Sequence, residues 1–291
     1  MSFVSKLMIG TAQFGQVYGV MGANEKVPNE QIKAILYRGR KHGVCSIDTA
    51  RGYGESENVL GRLGVEHFRI TTKLSSTTHA NGNYRNFFSS EIKSSLRNLN
   101  VHQLDTVLLH RPEELLQSDG EQIYDALLSL KTDELTKNIG LSIYDPNILE
   151  PILSKYQIDI VQAPLNVFDQ RLIRSGWLSK LVDRNIKIQA RSIFLQGLLA
   201  NPVDQLPPYF LQWKDNFLLW HEYCKNHAMT PLQGCLQFVA RIPEVQNIIV
   251  GVDSEAQFVE IIKSLNWSFD GEWAQFTNDD LNLISPIHWN H

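Results

Sequence analysis

Eight short apolar runs alternate with helix-like segments along this chain, and the alternation restricts its fold more than any other feature. The runs lie at 7–12, 45–49, 68–73, 104–110, 138–143, 159–164, 187–192 and 246–251. Between them, apolar residues recur every three or four positions, as in helices that pack on a sheet. Such segments include 30–42, 90–99, 122–130 and 217–225. The alternation predicts parallel strands joined by crossover helices, and eight strands fit a closed (β/α)8 TIM barrel forming a single domain over 1–291.

A doubly wound nucleotide-binding sheet is the main alternative for an alternating chain. That fold would be expected to carry a G-x-G-x-x-G turn after its first strand. At this position the chain reads Gly10-Thr11-Ala12-Gln13-Phe14-Gly15, which does not match. The strand count and the missing turn favour the barrel, and 291 residues are enough for its core.

Charge and composition exclude several classes of partner. The chain has a formal charge of −4 and no Lys/Arg cluster, so its sequence does not predict the basic surface patch that binds nucleic acid. We find no signal-peptide pattern and no apolar run of the roughly 18 residues that span a bilayer. The three cysteines show no metal-ligand spacing and suit reduced thiols. We therefore expect a cytoplasmic protein with no metal and no membrane partner; the oligomeric state cannot be read from the sequence.

Four potentially reactive side chains stand at or just beyond the ends of successive strands: Asp48, Tyr53, Lys73 and His110. A (β/α)8 barrel keeps its chemistry at this end of its strands. Each residue alone also has a structural explanation: a loop cap for the aspartate, rim packing for the tyrosine, a surface position for the lysine and a satisfied polar group for the histidine. Their joint occurrence indicates a site at the barrel mouth.

The motifs around these residues resemble those of the aldo-keto reductases. Asp48-Thr49-Ala50-Arg51-Gly52-Tyr53-Gly54 is similar to the family pattern D-T-A-x-x-Y-G, and Ser56-Glu57-Asn58-Val59-Leu60-Gly61 is similar to S-E-x-x-L-G. Lys73 and His110 follow in the order and setting of the family's tetrad. The resemblance extends over nearly the whole chain. It implies an oxidoreductase that transfers a hydride between NAD or NADP and a small carbonyl or alcohol substrate.

The resemblance also implies a role for each member of the tetrad. Tyr53 would be the general acid/base, Lys73 and Asp48 would tune it, and His110 would orient the substrate. Tyrosine is a poor acid with an ordinary pKa of about 10, and a neighbouring ammonium favours the phenolate. We therefore expect Lys73 to bring the pKa of Tyr53 closer to neutral, while Asp48 keeps the lysine charged and oriented.

Cofactor contacts implied by the resemblance come from most strand ends. They are Gly10, Thr11, Asp48, Ser142, Gln162, Arg191, Ser192, Gly251, Asp253, Ser254 and Gln257. Ser142 and Gln162 match the residues that hold the nicotinamide carboxamide, although Ile143 stands where an asparagine is usual. Arg191 replaces an aromatic residue that commonly stacks on the nicotinamide. A planar guanidinium can stack on a ring; the alternative for Arg191 is an ion pair across the barrel mouth.

The segment after the eighth strand departs from the family pattern. Asp253 stands where a basic or hydroxylic residue often holds the 2′-phosphate of NADP, Gln257 where an arginine is common, and Ile261 where an adenine-binding asparagine usually stands. These changes disfavour a third phosphate, while a pyrophosphate at the helix N-terminus remains physically reasonable. The same segment can also have a structural role, since Ser254-x-x-Gln257 has the spacing of a capping box that starts the last helix. The two interpretations, cofactor binding and helix capping, are compatible.

Two other functions stay open. A nicotinamide-binding regulatory or sensor protein on the same barrel, with weak or lost turnover, would fit the changes at Ile143, Arg191, Asp253 and Ile261. The intact tetrad favours an enzyme over this reading. A barrel lyase or isomerase without nicotinamide would need a metal or phosphate site, and no Asp/Glu/His cluster has ligand-like spacing.

The substrate cannot be read from this sequence. Phe14, Tyr18, Arg111 and Phe168 follow strand ends and are candidates to line its pocket, with packing at the barrel rim as the alternative. The Pro-rich connection at 201–216 has the length of a functional loop. Asp145-Pro146 has the pattern of a helix start.

Overall fold

The computed structural model describes residues 3–22 and 25–289. The eight predicted strands are confirmed, and they close into one parallel barrel in which β8 pairs with β1. Their bounds are β1 (Leu7–Gly10), β2 (Ser46–Asp48), β3 (Arg69–Leu74), β4 (Leu104–Leu109), β5 (Thr136–Ser142), β6 (Ile160–Pro164), β7 (Lys187–Arg191) and β8 (Val245–Gly251). Several predicted bounds differ by one or two residues, as at β1 and β4, where the predicted strands extended to residues 12 and 110.

Helices follow the strands and pack on the outside of the barrel. The α-helices are α1 (Ala12–Gly15), α2 (Asn29–Lys41), α3 (Ser56–Leu63), α4 (Tyr84–Leu99), α5 (Gly120–Thr132), α6 (Leu149–Leu153), α7 (Arg171–Arg174), α8 (Trp177–Asp183), α9 (Lys214–Asn226), α10 (Pro231–Ala240), α11 (Glu255–Leu265) and α12 (Leu281–Ile284). Short 3-10 helices span Phe3–Lys6, Pro112–Leu116, Pro146–Ile148, Val203–Gln205, Pro208–Trp213, Ala274–Phe276 and Pro286–His288. In the described ranges, no helix has the length and apolar character needed to cross a membrane.

The helical periodicity in the sequence becomes a buried stripe on each long helix. In α2 the buried residues are Ile32, Ile35, Leu36 and Gly39, spaced as one face of an α-helix. The buried apolar residues of α5 repeat the same spacing from Ile123. These stripes cover the outer face of a sheet whose strands are almost wholly buried. Burial on both faces is typical of parallel sheets and explains their continuous apolar runs.

Parallel closure brings the predicted site residues to one mouth of the barrel. Asp48, Ser142, Arg191 and Gly251 are the last residues of β2, β5, β7 and β8. Ser142 and Gln162 are direct register partners on β5 and β6. Strands that are far apart in the chain thus present their side chains to one cavity.

A close approach of two glycines fixes the loop that carries Tyr53. Gly54 has φ +57, a left-handed conformation that glycine adopts without strain. Its neighbour in space is Gly15, whose carbonyl accepts from the Glu55 amide at 3.4 Å. A Cβ on Gly15 would lie 1.8 Å from the Tyr53 carbonyl oxygen. The loop can therefore sit this close to the end of α1 only because residue 15 has no side chain.

Two predicted helix starts have different outcomes. The Asp145 carboxylate accepts from the Asn147 amide at 2.9 Å, so the start at Asp145-Pro146 is confirmed. At α11 the Ser254 hydroxyl accepts from the Gln257 amide at 3.2 Å, as in a capping box. The return bond differs from the prediction, because the Gln257 side chain accepts from the Asp253 amide at 2.7 Å. Gln257 therefore closes the turn one residue earlier than the box would.

Replacing Gly15 tests this packing. We expect Gly15→Ala to cost about 1–3 kcal/mol of folding free energy, as overpacking does, and to lower Tm by several degrees. Gly52→Ala is the matched control on the same loop. The Cβ added there would meet only Ser75 Oγ, at 3.4 Å. Thermal unfolding of both variants checks the prediction, and equal Tm values for Gly15→Ala and Gly52→Ala would contradict it.

Candidate active site

A cleft of about 1150 Å³, partly open to solvent, lies at the carboxyl ends of the strands. The predicted site residues that line it are Gly10, Thr11, Asp48, Tyr53, Lys73, His110, Ser142, Gln162, Arg191, Ser192, Gly251, Asp253 and Gln257. Ser254, the remaining predicted cofactor contact, does not line this cleft, and its hydroxyl instead caps α11. Its contact with a cofactor stays a prediction.

Three of the tetrad side chains form a hydrogen-bonded chain. Lys73 Nζ lies 2.7 Å from both carboxylate oxygens of Asp48 and 3.4 Å from the Tyr53 hydroxyl. It also donates to the Thr49 carbonyl at 3.0 Å. Lys73 is only 1% exposed, so its charge depends on these partners rather than on water. The adjacent strands β2 and β3 supply the two ends of the ion pair.

Asp48 is held from two further sides. Gln162 Nε2 donates to Asp48 Oδ1 at 2.7 Å and to Gln189 Oε1 at 3.0 Å. The Thr11 amide and hydroxyl donate to the Asp48 carbonyl at 3.1 and 3.0 Å. The Thr11 hydroxyl accepts in turn from Ser56, at 2.8 Å. Thr11 therefore anchors the end of β2, and its predicted contact with a cofactor is untested.

The expectation for the acidity of Tyr53 was wrong in direction. Burial raises the pKa of Tyr53 above its ordinary value, and the negative charge of Asp48 raises it further. Burial lowers the pKa of Lys73, while Asp48 opposes that change. The sequence argument counted the ammonium beside the phenol but not the desolvation of the phenolate. Burial and Asp48 therefore favour the neutral phenol form of Tyr53.

His110 follows β4 and faces the same cleft. Burial lowers the pKa of His110 to about 4, and the positive charges of Lys73, Arg191 and Arg111 act in the same direction. Its imidazole is consequently neutral at pH 7. A neutral imidazole can donate one hydrogen bond without adding a charge to the site.

Ser142 and Gln162 present a pair of unsatisfied polar atoms to the cleft. Ser142 Oγ and Gln162 Oε1 are buried and have no hydrogen-bond partner in the described structure. A hydroxyl that can donate and an amide oxygen that can accept complement the C=O and NH2 of a primary carboxamide. Buried polar groups are rarely left unpaired. The pair therefore fits the carboxamide of a nicotinamide.

Arg191 does not form the ion pair that was its alternative explanation. Its guanidinium lies 4.2 Å from the centre of the Tyr144 ring, in cation–π geometry. It donates to the Ile143 carbonyl at 2.8 Å and to the Ser192 hydroxyl at 3.2 Å. No carboxylate of the described chain lies within 4.0 Å of it. Stacking on a cofactor ring remains a prediction.

Asp253, two residues beyond the end of β8, also lines the cleft. Asp253 is partly buried, which raises the pKa of its carboxyl above the ordinary value. Across the two described ranges it has no Lys or Arg partner within 4.0 Å. Ile261 lines the cleft beside it with an apolar side chain. The part of the cleft around Asp253 and Ile261 therefore presents a carboxylate to a bound molecule, without a lysine or arginine paired to it.

Sequence reasoning missed one wall of the cleft. It is built from the loops after β1, β5 and β7 and from the start of α10, and its residues include Met21, Tyr144, Phe194, Gln196, Asn201 and Leu232. Gln196 joins the loops after β1 and β7, since its side chain and carbonyl accept from the Val20 and Met21 amides at 3.1 and 3.3 Å. Ser192, Leu195 and Gln196 all have positive φ, which no periodicity signals. The available hint was the segment Phe194-Leu195-Gln196-Gly197, whose glycine lies a few residues beyond the end of β7.

The four candidate pocket residues lie in three different environments, namely the cleft, the core and a second pocket. Tyr18 lines the cleft as expected. Phe14 and Phe168 are 2% and 1% exposed and belong to the core, so the rim-packing alternative is nearer the truth for both. Arg111 lies outside the main cleft and lines a second pocket with Tyr84 and Glu114.

A sequence profile described as the Aldo/keto reductase family matches residues 6–276 of this chain. The chain belongs to the aldo/keto reductase family. The family and its oxidoreductase relatives support an oxidoreductase, and members of the family use nicotinamide cofactors.

Individual relatives are distant. A D-arabinose 1-dehydrogenase from Saccharomyces cerevisiae is 27% identical over 63% of this chain, and the match spans only 61% of that enzyme. An NADH-specific methylglyoxal reductase from Escherichia coli is 23% identical over 90% of each chain. Among solved structures, an aldo-keto reductase from Bacillus halodurans in its holo form has a TM-score of 0.73, with 17% identity, 93% of this chain and 90% of that chain covered. At this identity the last comparison supports the fold alone.

The protonation of His110 can be tested directly. We expect its ring to stay neutral down to about pH 4 in the folded protein, whereas an unfolded histidine titrates near 6.5. Between these values the unfolded chain binds more protons, so His110 makes stability fall as the pH decreases through this window. Ring chemical shifts measured by NMR in the native state and in denaturant check this. A native midpoint near 6.5 would contradict it.

Proposed function

We propose that this protein transfers a hydride between a nicotinamide cofactor and a small carbonyl or alcohol substrate, with Tyr53 as the general acid/base. The observation that carries the proposal is the chain from Asp48 through Lys73 Nζ to the Tyr53 hydroxyl, with distances of 2.7 and 3.4 Å. It lies in the same cleft as the unsatisfied Ser142 and Gln162 pair. A proton donor and a carboxamide-shaped subsite are what nicotinamide-linked carbonyl reduction needs from a protein.

In carbonyl reduction the proton comes from Tyr53. As negative charge develops on the carbonyl oxygen, that oxygen becomes basic enough to accept a proton from the neutral phenol. The phenolate that remains lies beside Lys73 Nζ, whose positive charge stabilises it. His110 orients the oxygen by donating a hydrogen bond from its neutral ring. Alcohol oxidation reverses these steps, with Tyr53 accepting the proton.

The cofactor supplies or accepts the hydride when it is bound. Ser142 and Gln162 would hold its carboxamide, and this would orient the nicotinamide toward the centre of the cleft. Arg191 and Ser192 would lie along the same wall, and the segment from Gly251 to Gln257 would hold the ribose and phosphates. Because the donors are fixed by packing in strands, little reorganisation accompanies the reaction.

Removing the Tyr53 hydroxyl tests the assignment. We expect Tyr53→Phe to lower the rate of carbonyl reduction by on the order of 10²-fold or more and to leave cofactor affinity nearly unchanged, because only the proton donor is lost. Lys73→Met should act in the same direction. Single-turnover kinetics with saturating reduced cofactor measure the chemical step.

The control for this variant is Tyr18→Phe, which removes another phenol that lines the cleft. Its effect on the chemical step should be at least tenfold smaller. A Tyr53→Phe protein as fast as the wild type would exclude the assignment. Tight nicotinamide binding without turnover of any carbonyl by the wild type would favour a sensor on the same barrel.

Cofactor choice is a second part of the proposal. A basic side chain near the ribose favours NADP through a charge-assisted bond to its 2′-phosphate. The partly buried carboxylate of Asp253 would oppose that phosphate and can accept hydrogen bonds from an unmodified ribose. A relative named for NADH specificity is consistent with this direction. We infer a weak to moderate preference for NADH over NADPH.

Reversing the charge at residue 253 tests this preference. We expect Asp253→Arg to shift binding toward NADPH by on the order of tenfold, or about 1.4 kcal/mol. Glu255→Arg is the control, because Glu255 lies two residues on and pairs with Arg38 at 2.5 Å outside the cleft. Quenching of tryptophan fluorescence during titration with each reduced nucleotide gives the affinities. Much tighter binding of NADPH than NADH by the wild type would show that Asp253 does not govern the ribose site.

A further inference from the structure

The cleft contains one cation that the described protein does not neutralise. Lys73 and Arg191 are the lysine and arginine residues that line it. Lys73 is paired with Asp48, and its donors are engaged with Asp48, Thr49 and Tyr53. Arg191 has only neutral partners, namely the Ile143 carbonyl, the Ser192 hydroxyl and the face of Tyr144. The part of the cleft at the end of β7 therefore carries an uncompensated positive charge.

The guanidinium also keeps unused donors. Arginine has five N–H groups in a planar fork. Two of them are used in the described structure, by Ile143 and Ser192. The guanidinium carbon also lies 4.2 Å from the centre of the Tyr144 ring, a contact that offers the N–H groups no oxygen acceptor. Three donors remain for a bound group.

The position of Arg191 relates these donors to the reacting centre. It is the last residue of β7, and its bond to Ile143 places it beside Ser142, the carboxamide candidate. Its positive charge lowers the pKa of His110 and acts on Tyr53 in the same direction, so its field reaches both groups that would face the carbonyl oxygen. A molecule bound with its carbonyl at Tyr53 would have Arg191 along its side.

The two acids that line the cleft do not compensate Arg191. Asp48 is taken by Lys73 and Gln162. Asp253, which follows β8, forms no ion pair with Arg191 within 4.0 Å. A partly buried charge without a counter-ion is unfavourable, and a carboxylate or phosphate that binds a guanidinium through two parallel bonds offsets that cost.

We propose that Arg191 is a specificity-determining residue that binds an anionic group, a carboxylate or a phosphate monoester, carried by the carbonyl substrate. This inference rests on the proposed function, because it assumes that the substrate carbonyl lies at Tyr53. It is compatible with a nicotinamide against the free face of the guanidinium, since the anion binds at the edge of the plane. The substrate class is then an aldehyde or ketone with a negative charge a few bonds from its carbonyl.

Paired substrates test the proposal. Initial rates are measured at saturating reduced cofactor with 4-carboxybenzaldehyde against benzaldehyde, and with glyceraldehyde 3-phosphate against glyceraldehyde. In Arg191→Gln we expect kcat/KM for the charged member of at least one pair to fall roughly 10- to 100-fold more than that for its neutral partner, from the usual strength of hydrogen bonds to charged groups. The pair that responds distinguishes a carboxylate from a phosphate.

Two further variants separate this role from a structural one. Arg191→Lys keeps the charge without the fork and should restore part of the preference for the charged substrate. Arg111→Gln removes an arginine that follows β4 outside the cleft and should leave the ratio within each pair unchanged. Equal losses for charged and neutral substrates in Arg191→Gln, in both pairs, would overturn the proposal.

A binding measurement keeps the test independent of turnover. Calorimetric titration of the wild-type protein with benzoate, with and without NAD⁺, should show binding that weakens at least tenfold in Arg191→Gln. If no carbonyl is reduced but benzoate binding depends on Arg191, the proposed function fails and the anion site stands. If carbonyls are reduced but neither benzoate binding nor the substrate ratios depend on Arg191, the anion site fails and the proposed function stands.

Discussion

The buried ion pair between Lys73 and Asp48 is the interaction on which the site depends. Two charges removed from water are tolerated only when each finds good partners, and removing one leaves the other uncompensated. Lys73 meets this condition through Asp48, Thr49 and Tyr53. Asp48 meets it through Lys73 and Gln162. Closure of the barrel supplies both sets, because β2, β3 and β6 contribute from different parts of the ring. The position of Tyr53 beside Lys73 therefore follows from the fold.

The electrostatics of the site are those of a neutral acid beside a compensated cation. Because burial penalises the phenolate and the negative charge of Asp48 acts in the same direction, the pKa of Tyr53 is raised rather than lowered. His110 is also neutral, since burial and nearby cations penalise its charged form. Both groups can then offer protons to a carbonyl oxygen without placing another charge in the cleft. Stabilisation by Lys73 becomes important only once Tyr53 has given up its proton.

The strands were predictable because a buried parallel strand is a continuous apolar run, and a polar residue such as Asp48 or Lys73 stands out near its end. The meeting of Asp48, Lys73 and His110 followed, since parallel closure brings strand ends together, whereas Tyr53 lies on the loop after β2 and was expected from its resemblance to the family motif. The acidity of Tyr53 did not follow, because it depends on burial that only the closed barrel creates. The wall containing Gln196 could not be predicted either. It depends on positive φ values and on hydrogen bonds from the Val20 and Met21 amides to Gln196, which is distant from them in the sequence. The local sequence pattern predicts helices and strands, whereas the pKa of Tyr53 and the wall containing Gln196 depend on contacts between residues that are distant in the sequence.

Two departures from the family pattern, Arg191 and Asp253, lie outside the hydrogen-bonded network of the tetrad. The chain from Asp48 to Tyr53 is so interlinked that changing one member leaves another without its partner. Arg191 and Asp253 are different, because neither compensates a charge of the described protein, and each faces the cleft from a strand end or just beyond it. A substitution at either residue alters what the cleft attracts while leaving the hydrogen bonds from Asp48 through Lys73 to Tyr53 in place. Arg191 lies on the wall beside Ser142 and Asp253 lies just beyond β8, so the cleft carries a cation and an anion that no group of the described protein pairs. A cofactor without a third phosphate and an anionic carbonyl compound would complement these two charges.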